Sequence, residues 1–197
     1  MPTREERAET TRAQLLDIAA ELFASRGYAE VGTEDVVRQA GLTRGALYHH
    51  FADKRELFAA VHERVEQELV AAIGERMAAA RDTATPVELL IIGMRSFLDA
   101  CVRPGVLRIS LLDGPTVLGW ARWRDVGERY GLGMVIGGLE FAMQAGELRR
   151  QDVRPLAHLL LAALSEAAQL IAHAEHPEQA RAEVEPAMLA LVNGLRP

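Results

Sequence analysis

The chain has 197 residues but only one cysteine, Cys101, and one lysine, Lys54; every other Lys/Arg position is Arg. A single Cys excludes an internal disulfide. Alternating β-branched runs and hairpin turn signals are missing, so no sheet is expected. No apolar run looks long and uninterrupted enough to span a membrane, because LAHLLLAALSEAAQLIAHA carries two His and a Glu. The charged start, MPTREERAETT, does not resemble a signal peptide, and a cytoplasmic location is expected. No nucleophile motif or Ser-His-Asp order appears at a placed position. The His residues lack metal spacing except His173-x-x-His176, where a third ligand is missing. A cation at a helix C-terminus is the better reading of that pair, and neither metal nor cofactor is expected. The G-x-G in GLGMVIG, Gly131 to Gly137, would need a preceding strand to be a dinucleotide loop. WARWRDVGERY before it reads as helix, so close helix packing or a helix break is expected there.

What is present is helical. Hydrophobic residues make up 49% and charged residues 25%, ordinary for a globular protein. Leu15, Ile18, Ala19, Leu22 and Phe23 recur at helical spacing in a first helix ending near Arg26, before Gly27. It starts at Thr3-x-x-Glu6 or at Thr11-x-x-Gln14, both of which fit a capping box. Arg4 and Arg7 are either a basic arm for a minor groove or a solvated terminus. A long helix from Lys54 to about Arg81 should connect two domains, with Thr85-Pro86-Val87-Glu88 opening the next. Later segments are expected near 105–112, 116–130, 132–145, 156–174 and 178–195, with Pro186 kinking the last or delaying its start.

TEDVVRQAGLTRGALYHHFADK, from Thr33 to Lys54, organises the rest. Thr33 can cap a short helix whose apolar face is Val36, Val37 and Ala40, and Gly41 stops it. Thr43 caps a second helix to about His50. Leu47 and Phe51 turn inward from it, while Arg44, Ala46, Tyr48 and His49 face outward. Two short helices joined by a Gly-containing turn describe a helix-turn-helix, whose second helix lies in the DNA major groove. The net charge of −6 argues against a nucleic-acid binder, yet most acid lies beyond Arg55. Arg44, Lys54 and Arg55 cluster at the motif, and Asp53 caps a helix whose N-terminus beside Lys54 suits phosphate.

GLTRGALYHHFADKRELF resembles the signature of the TetR family of bacterial transcriptional regulators. The matching positions are Thr33, Ala40, Gly41, Leu42, Gly45, Leu47, Tyr48, His50, Phe51, Lys54 and Leu57, and the resemblance covers roughly Thr11 to Val61. It implies a homodimer on a near-palindromic double-stranded operator. By the same resemblance Thr33, Tyr48, His50 and Lys54 hold phosphates, Arg44, Gly45, Ala46 and His49 face base edges, and Thr43 belongs to the same surface.

The expected fold is all-α, with a three-helix DNA-binding domain at 1–54 and a helical effector-binding and dimerisation domain at 55–197. In the second, Met94, Phe97, Cys101, Trp120, Trp123 and Phe141 are candidate ligand contacts, since large soft side chains can line an adaptable cavity. Core packing explains the same residues, and Cys101 reads as a buried small apolar residue rather than a redox sensor. Ser165, Gln169 and His173 follow one face of an otherwise apolar helix, which fits a dimer seam or a pocket wall. The resemblance favours the seam. The function expected is a ligand-responsive homodimeric regulator, a repressor released by a small apolar or amphipathic effector. Two rivals are an enzyme that uses the second domain's cavity beside a vestigial DNA-binding domain, and a regulator whose second domain binds a protein.

Overall fold

Thr3 opens the first helix, α1, Arg4–Arg26. Thr3 Oγ1 accepts the Glu6 N–H at 3.2 Å and the Glu6 carboxylate accepts the Thr3 N–H at 2.6 Å, a complete capping box. Thr11 therefore lies inside α1, and Arg4 and Arg7 sit in its first turns rather than on an extended arm. Gly27, at φ 80°, ends the helix. The second helix, α2, is Thr33–Ala40, and its cap is Gly32 rather than Thr33. Asp35 Oδ2 accepts the Gly32 N–H at 2.9 Å, and no side-chain oxygen caps a first-turn N–H as a Thr33 cap would have. Gly41 closes α2 in the left-handed region at φ 65°. Thr43 Oγ1 then accepts the Ala46 N–H at 3.2 Å and opens α3, Arg44–His50. Asp53 Oδ1 accepts the Glu56 N–H at 2.8 Å at the head of α4, Lys54–Ala80.

This computed structural model describes residues 3–197 and shows only helices, turns and loops among them. The chain is all-α, as expected. It packs as two units: Met1–Val65 with Pro104–Ala121, and Glu66–Arg103 with Arg122–Pro197. One boundary falls inside α4. The packed units therefore do not coincide with a division into 1–54 and 55–197. Residues 104–121 join the first unit because Ile109 and Leu118 are buried in the core that Leu15, Phe23, Val36, Leu47, Phe51 and Phe58 form. This insert comprises a π-helical segment, Val106–Asp113, and α6, Gly114–Leu118.

In the second unit, Thr85 caps α5, Pro86–Cys101, with a capping box to Glu88. The following long helix, α7, runs Trp120–Gln144 without interruption. No break occurs at Gly131–Gly137, and packing accounts for some of the glycines of α7 but not for others. A Cβ on Gly138 would lie 2.4 Å from Leu90 Cδ2, and one on Gly131 would lie 3.4 Å from Leu161 Cδ1. The last two helices are α8, Val153–Ala172, and α9, Pro177–Asn193 with Pro186 inside it. His173 caps the end of α8 and its Nδ1 lies 2.9 Å from the Gln169 carbonyl, so it serves a helix end. An ion network ties α4, α5 and α9. Asp99 pairs with Arg76 at 3.5 Å and Arg181 at 2.7 Å, while Glu185 pairs with Arg181 and, at 2.7 Å, Arg95.

By length and composition α8 is apolar enough to cross a membrane, with a mean hydropathy of 1.4, contrary to the expectation from its polar residues. His173 lies past its end, and the remaining His158 and Glu166 do not bring the mean down far enough. Only 28% of that stretch is buried within the chain.

Candidate DNA-binding surface

Burial of Leu47 and Phe51 fixes which way α3 faces. Both are in the first unit's core, so Thr43, Arg44, Gly45, Tyr48 and His49 are exposed, with Ala46 and His50 half-buried at the margin. The guanidinium of Arg44 is not loose. Its Nη1 lies 3.3 Å from Glu34 Oε1, and its Cζ lies 5.5 Å from the Tyr48 ring centroid. The Tyr48 hydroxyl is 3.4 Å from Thr33 Oγ1, which brings α2's first residue to α3. That hydroxyl contact, and then Arg44, lower the Tyr48 pKa. The His49 and His50 rings meet edge to face at 5.2 Å. Burial, then His49 and Arg12, push the His50 pKa down, so His50 offers a neutral hydrogen bond rather than a charge at neutral pH.

Lys54 sits at the head of α4 with Nζ 4.0 Å from the Tyr28 ring centroid. Desolvation lowers its pKa, against the pull of Asp113 and Glu30. Tyr28 is half-buried against the first unit's core, edge-on to Phe58 at 5.1 Å. It is also the seat of Lys54, a pairing across 26 positions that no local pattern signals. Arg55 does not join this surface. Its Nε and Nη2 donate to the Val117 and Leu118 carbonyls, each at 3.0 Å. The expected basic cluster thus reduces to Arg44 and Lys54, because the 104–121 insert claims Arg55. Nearby, Arg38 and Arg26 are both held by Asp35. Sequence reasoning also missed Glu34 as the partner of Arg44.

The ligand candidates are less unified. Met94, Phe97 and Cys101 follow one another at helical spacing along α5, the first and last buried and Phe97 half-buried. Burial pushes the Cys101 thiol up to about 12, which leaves it protonated and inert at neutral pH. Trp123 is buried on α7, but Phe141, on the same helix, is 45% exposed. Because α7 is unbroken, Trp123 and Phe141 are about 27 Å apart along its axis, too far for one small pocket. Trp120 groups with the first unit and is exposed. The structure therefore does not bring these six residues together. An open cleft of about 350 Å³ in the second unit is lined by other residues, among them Glu140, Arg150 and Gln151.

Residues 15–61 match the family model described as bacterial regulatory proteins, tetR family, and residues 87–195 match the tetracyclin repressor-like C-terminal domain. The chain belongs to the TetR family. A TetR-family transcriptional regulator from Pectobacterium atrosepticum has the same fold at a TM-score of 0.87, with 37% identity over 99% of this chain and 98% of that one. RolR, solved in complex with resorcinol, shares the fold at a TM-score of 0.71 and 21% identity, covering 95% of this chain and 90% of RolR. The transcriptional regulator AcrR of Shigella flexneri is 39% identical over 62 residues, 32% of this chain and 29% of AcrR. The activator FasR of Mycolicibacterium smegmatis is 34% identical over 88 residues, 45% of this chain and 39% of FasR. The match thus spans less than half the length of these curated relatives. In this TetR-family chain the helix-turn-helix lies within residues 15–61, which the family model matches, and the comparisons lend nothing to the enzyme reading.

Proposed function

We propose that the protein is a homodimeric, ligand-responsive repressor that binds a near-palindromic DNA operator and is released from it by a small apolar or amphipathic effector in the cytoplasm. One observation carries the DNA part. The buried Leu47 and Phe51 hold α3 so that Arg44, Tyr48 and His49 share an outward surface, flanked by Thr33 and Lys54. In this reading the direct DNA contacts lie within residues 1–54 and the effector and dimer contacts within residues 55–197. Arg44 bridges guanine O6 and N7, Gly45 lets the backbone approach, and Ala46 and His49 meet base edges. Thr33, Thr43, Tyr48, His50 and Lys54 hold phosphates and set the register.

The dimer rests on α8 and α9. Leu159 and Leu170, 11 residues apart and so on one face of α8, are 69% and 56% exposed, and Leu191 on α9 is 51% exposed. Exposed leucines aligned on one helix face fit contact with a second copy of the chain. The effector reading rests on the α5 face of Met94, Phe97 and Cys101, with Trp123 as the buried α7 candidate.

Selection of bound duplexes from random DNA tests the reading. Enrichment of an inverted repeat with half-site centres about 34 Å apart, or a small multiple, is expected. Recovery of no sequence, or full specificity by a monomer on an asymmetric half-site, would overturn it.

A further inference from the structure

Within the first unit the 104–121 insert holds two neighbours of Lys54, the Tyr28 backbone whose ring seats its amine and the adjoining Arg55. On one side stands Asp113, the last residue of the π-helical segment. Gly27 breaks α1 at φ 80°, so the next N–H, that of Tyr28, has left the helical ladder and needs an acceptor. Asp113 Oδ2 supplies it at 2.7 Å, while Arg108 Nε lies 3.4 Å from the same oxygen as an ion pair. The Tyr28 backbone is thereby fixed, its ring is stacked edge-on to Phe58, and Lys54 Nζ lies 4.0 Å from that ring's centre. On the other side stands Arg55, the residue after Lys54. Its guanidinium fork spans two successive carbonyls, Val117 and Leu118, at the end of α6 where helical partners run out. The first turn of α4 is thus fastened to the insert through both of these contacts.

The geometry points to Asp113 and Arg55 as positioning residues that hold Lys54 for a DNA phosphate, which makes residues 104–121 a working part of the DNA-binding unit without any contact to DNA. This rests on the proposed reading that Lys54 meets a phosphate. A flexible amine on a four-carbon stem gains little from one phosphate unless its direction is set beforehand.

The test is a cycle on the full chain, titrated with the duplex recovered by selection across a range of salt. Lys54→Ala, Asp113→Ala, Asp113→Asn and the Lys54→Ala/Asp113→Ala pair are compared. Asp113→Ala is expected to weaken binding about tenfold and to flatten the salt slope by about one, as Lys54→Ala does. In the Lys54→Ala background the same change should cost about twofold or less, since the contact it serves is already gone. Asp113→Asn keeps an acceptor oxygen for the Tyr28 N–H and should retain most of the affinity. An equal fold-loss from Asp113→Ala in both backgrounds, or an unaltered salt slope, overturns the positioning role. Arg55→Met run through the same cycle with Lys54→Ala decides the matter if Asp113→Ala does not fold. If Lys54→Ala itself leaves the salt slope unchanged, the phosphate reading of Lys54 fails and the inference falls with it. If only Lys54→Ala flattens the slope, the phosphate reading stands and positioning alone is lost.

Discussion

On the outward surface of α3, Arg44 is held by a carboxylate and a ring. The Glu34 pair is largely exposed, so it stabilises the fold by little; its effect is to hold the guanidinium's direction. Arg44→Ala is therefore expected to relax preference at one base pair, costing ~1–3 kcal/mol there and much less elsewhere, measured by titration against single-substitution operators. A uniform loss on every sequence would move Arg44 from bases to phosphates. Lys54→Ala should do the opposite: weaken all duplexes alike and flatten the salt dependence by about one charge. What the sequence showed at this scale was side-chain direction. Period 3.6 alone placed Leu47 inward and Tyr48 outward. Hidden were the pairings between distant positions, Lys54 with Tyr28 and Arg55 with Val117, because neither residue's neighbours carry a sign of its partner.

At the scale of single elements, α7 separates glycines that packing needs from those it does not. A Cβ on Gly133 meets nothing within 4 Å, whereas one on Gly138 meets Leu90 at 2.4 Å. Gly133→Ala should raise stability by ~0.5–1 kcal/mol through helix propensity, and Gly138→Ala should lose that gain or reverse it unless Leu90 turns aside. Denaturant titration of both variants checks the contrast. Two glycines in three residues read locally as a possible stop; the long-range contacts that keep α7 whole were not legible. Caps were legible where they were local, as at Thr3, Thr43 and Thr85, and misread at Thr33, where Gly32 holds the cap position and Asp35 closes back onto its N–H. The ion network on α9 gives a pH signature. Arg181 first, and Arg95 after it, hold the Glu185 pKa below its ordinary value of 4.5. A depressed folded pKa stabilises above the unfolded value and loses that stabilisation as pH falls through the folded one. Glu185→Gln should cost ~1–3 kcal/mol at neutral pH, and its gap from the parent should close below about pH 4.5, read by urea melts at several pH values.

For the whole molecule, α4 is a helix that has residues in both packed units. An effector in the second unit changes operator affinity only if it binds the DNA-free state more tightly. A coupling of ~1–3 kcal/mol shifts operator affinity roughly 5–150-fold, and the operator must then weaken effector binding by the same factor. Calorimetry of a candidate ligand with and without the selected duplex reads this; equal affinities would end the allosteric claim for that ligand. The exposed α8 face makes a separate demand. Leu159→Glu with Leu170→Glu should give a monomer by sedimentation and lose the palindrome's affinity, since one α3 then reads one half-site. Residue pattern made the helical class and the DNA-facing helix readable. The 104–121 insert was unreadable as part of the first unit, since its membership depends on Ile109 and Leu118 meeting a core formed some 50 residues and more earlier.

Lys54 is the chain's only lysine, and it stands on the proposed operator side of the molecule. Aldehyde fixation, amine-directed dyes and amine coupling to sensor surfaces all need a primary amine, and besides the α-amine this chain offers one. Fixation of the protein on its operator would run through a single side chain that desolvation and an aromatic seat already restrain, so capture of the bound complex by aldehyde should be poor. Amine labelling, for its part, would report operator occupancy at one defined position, and immobilisation through that amine would occlude the surface it was meant to present.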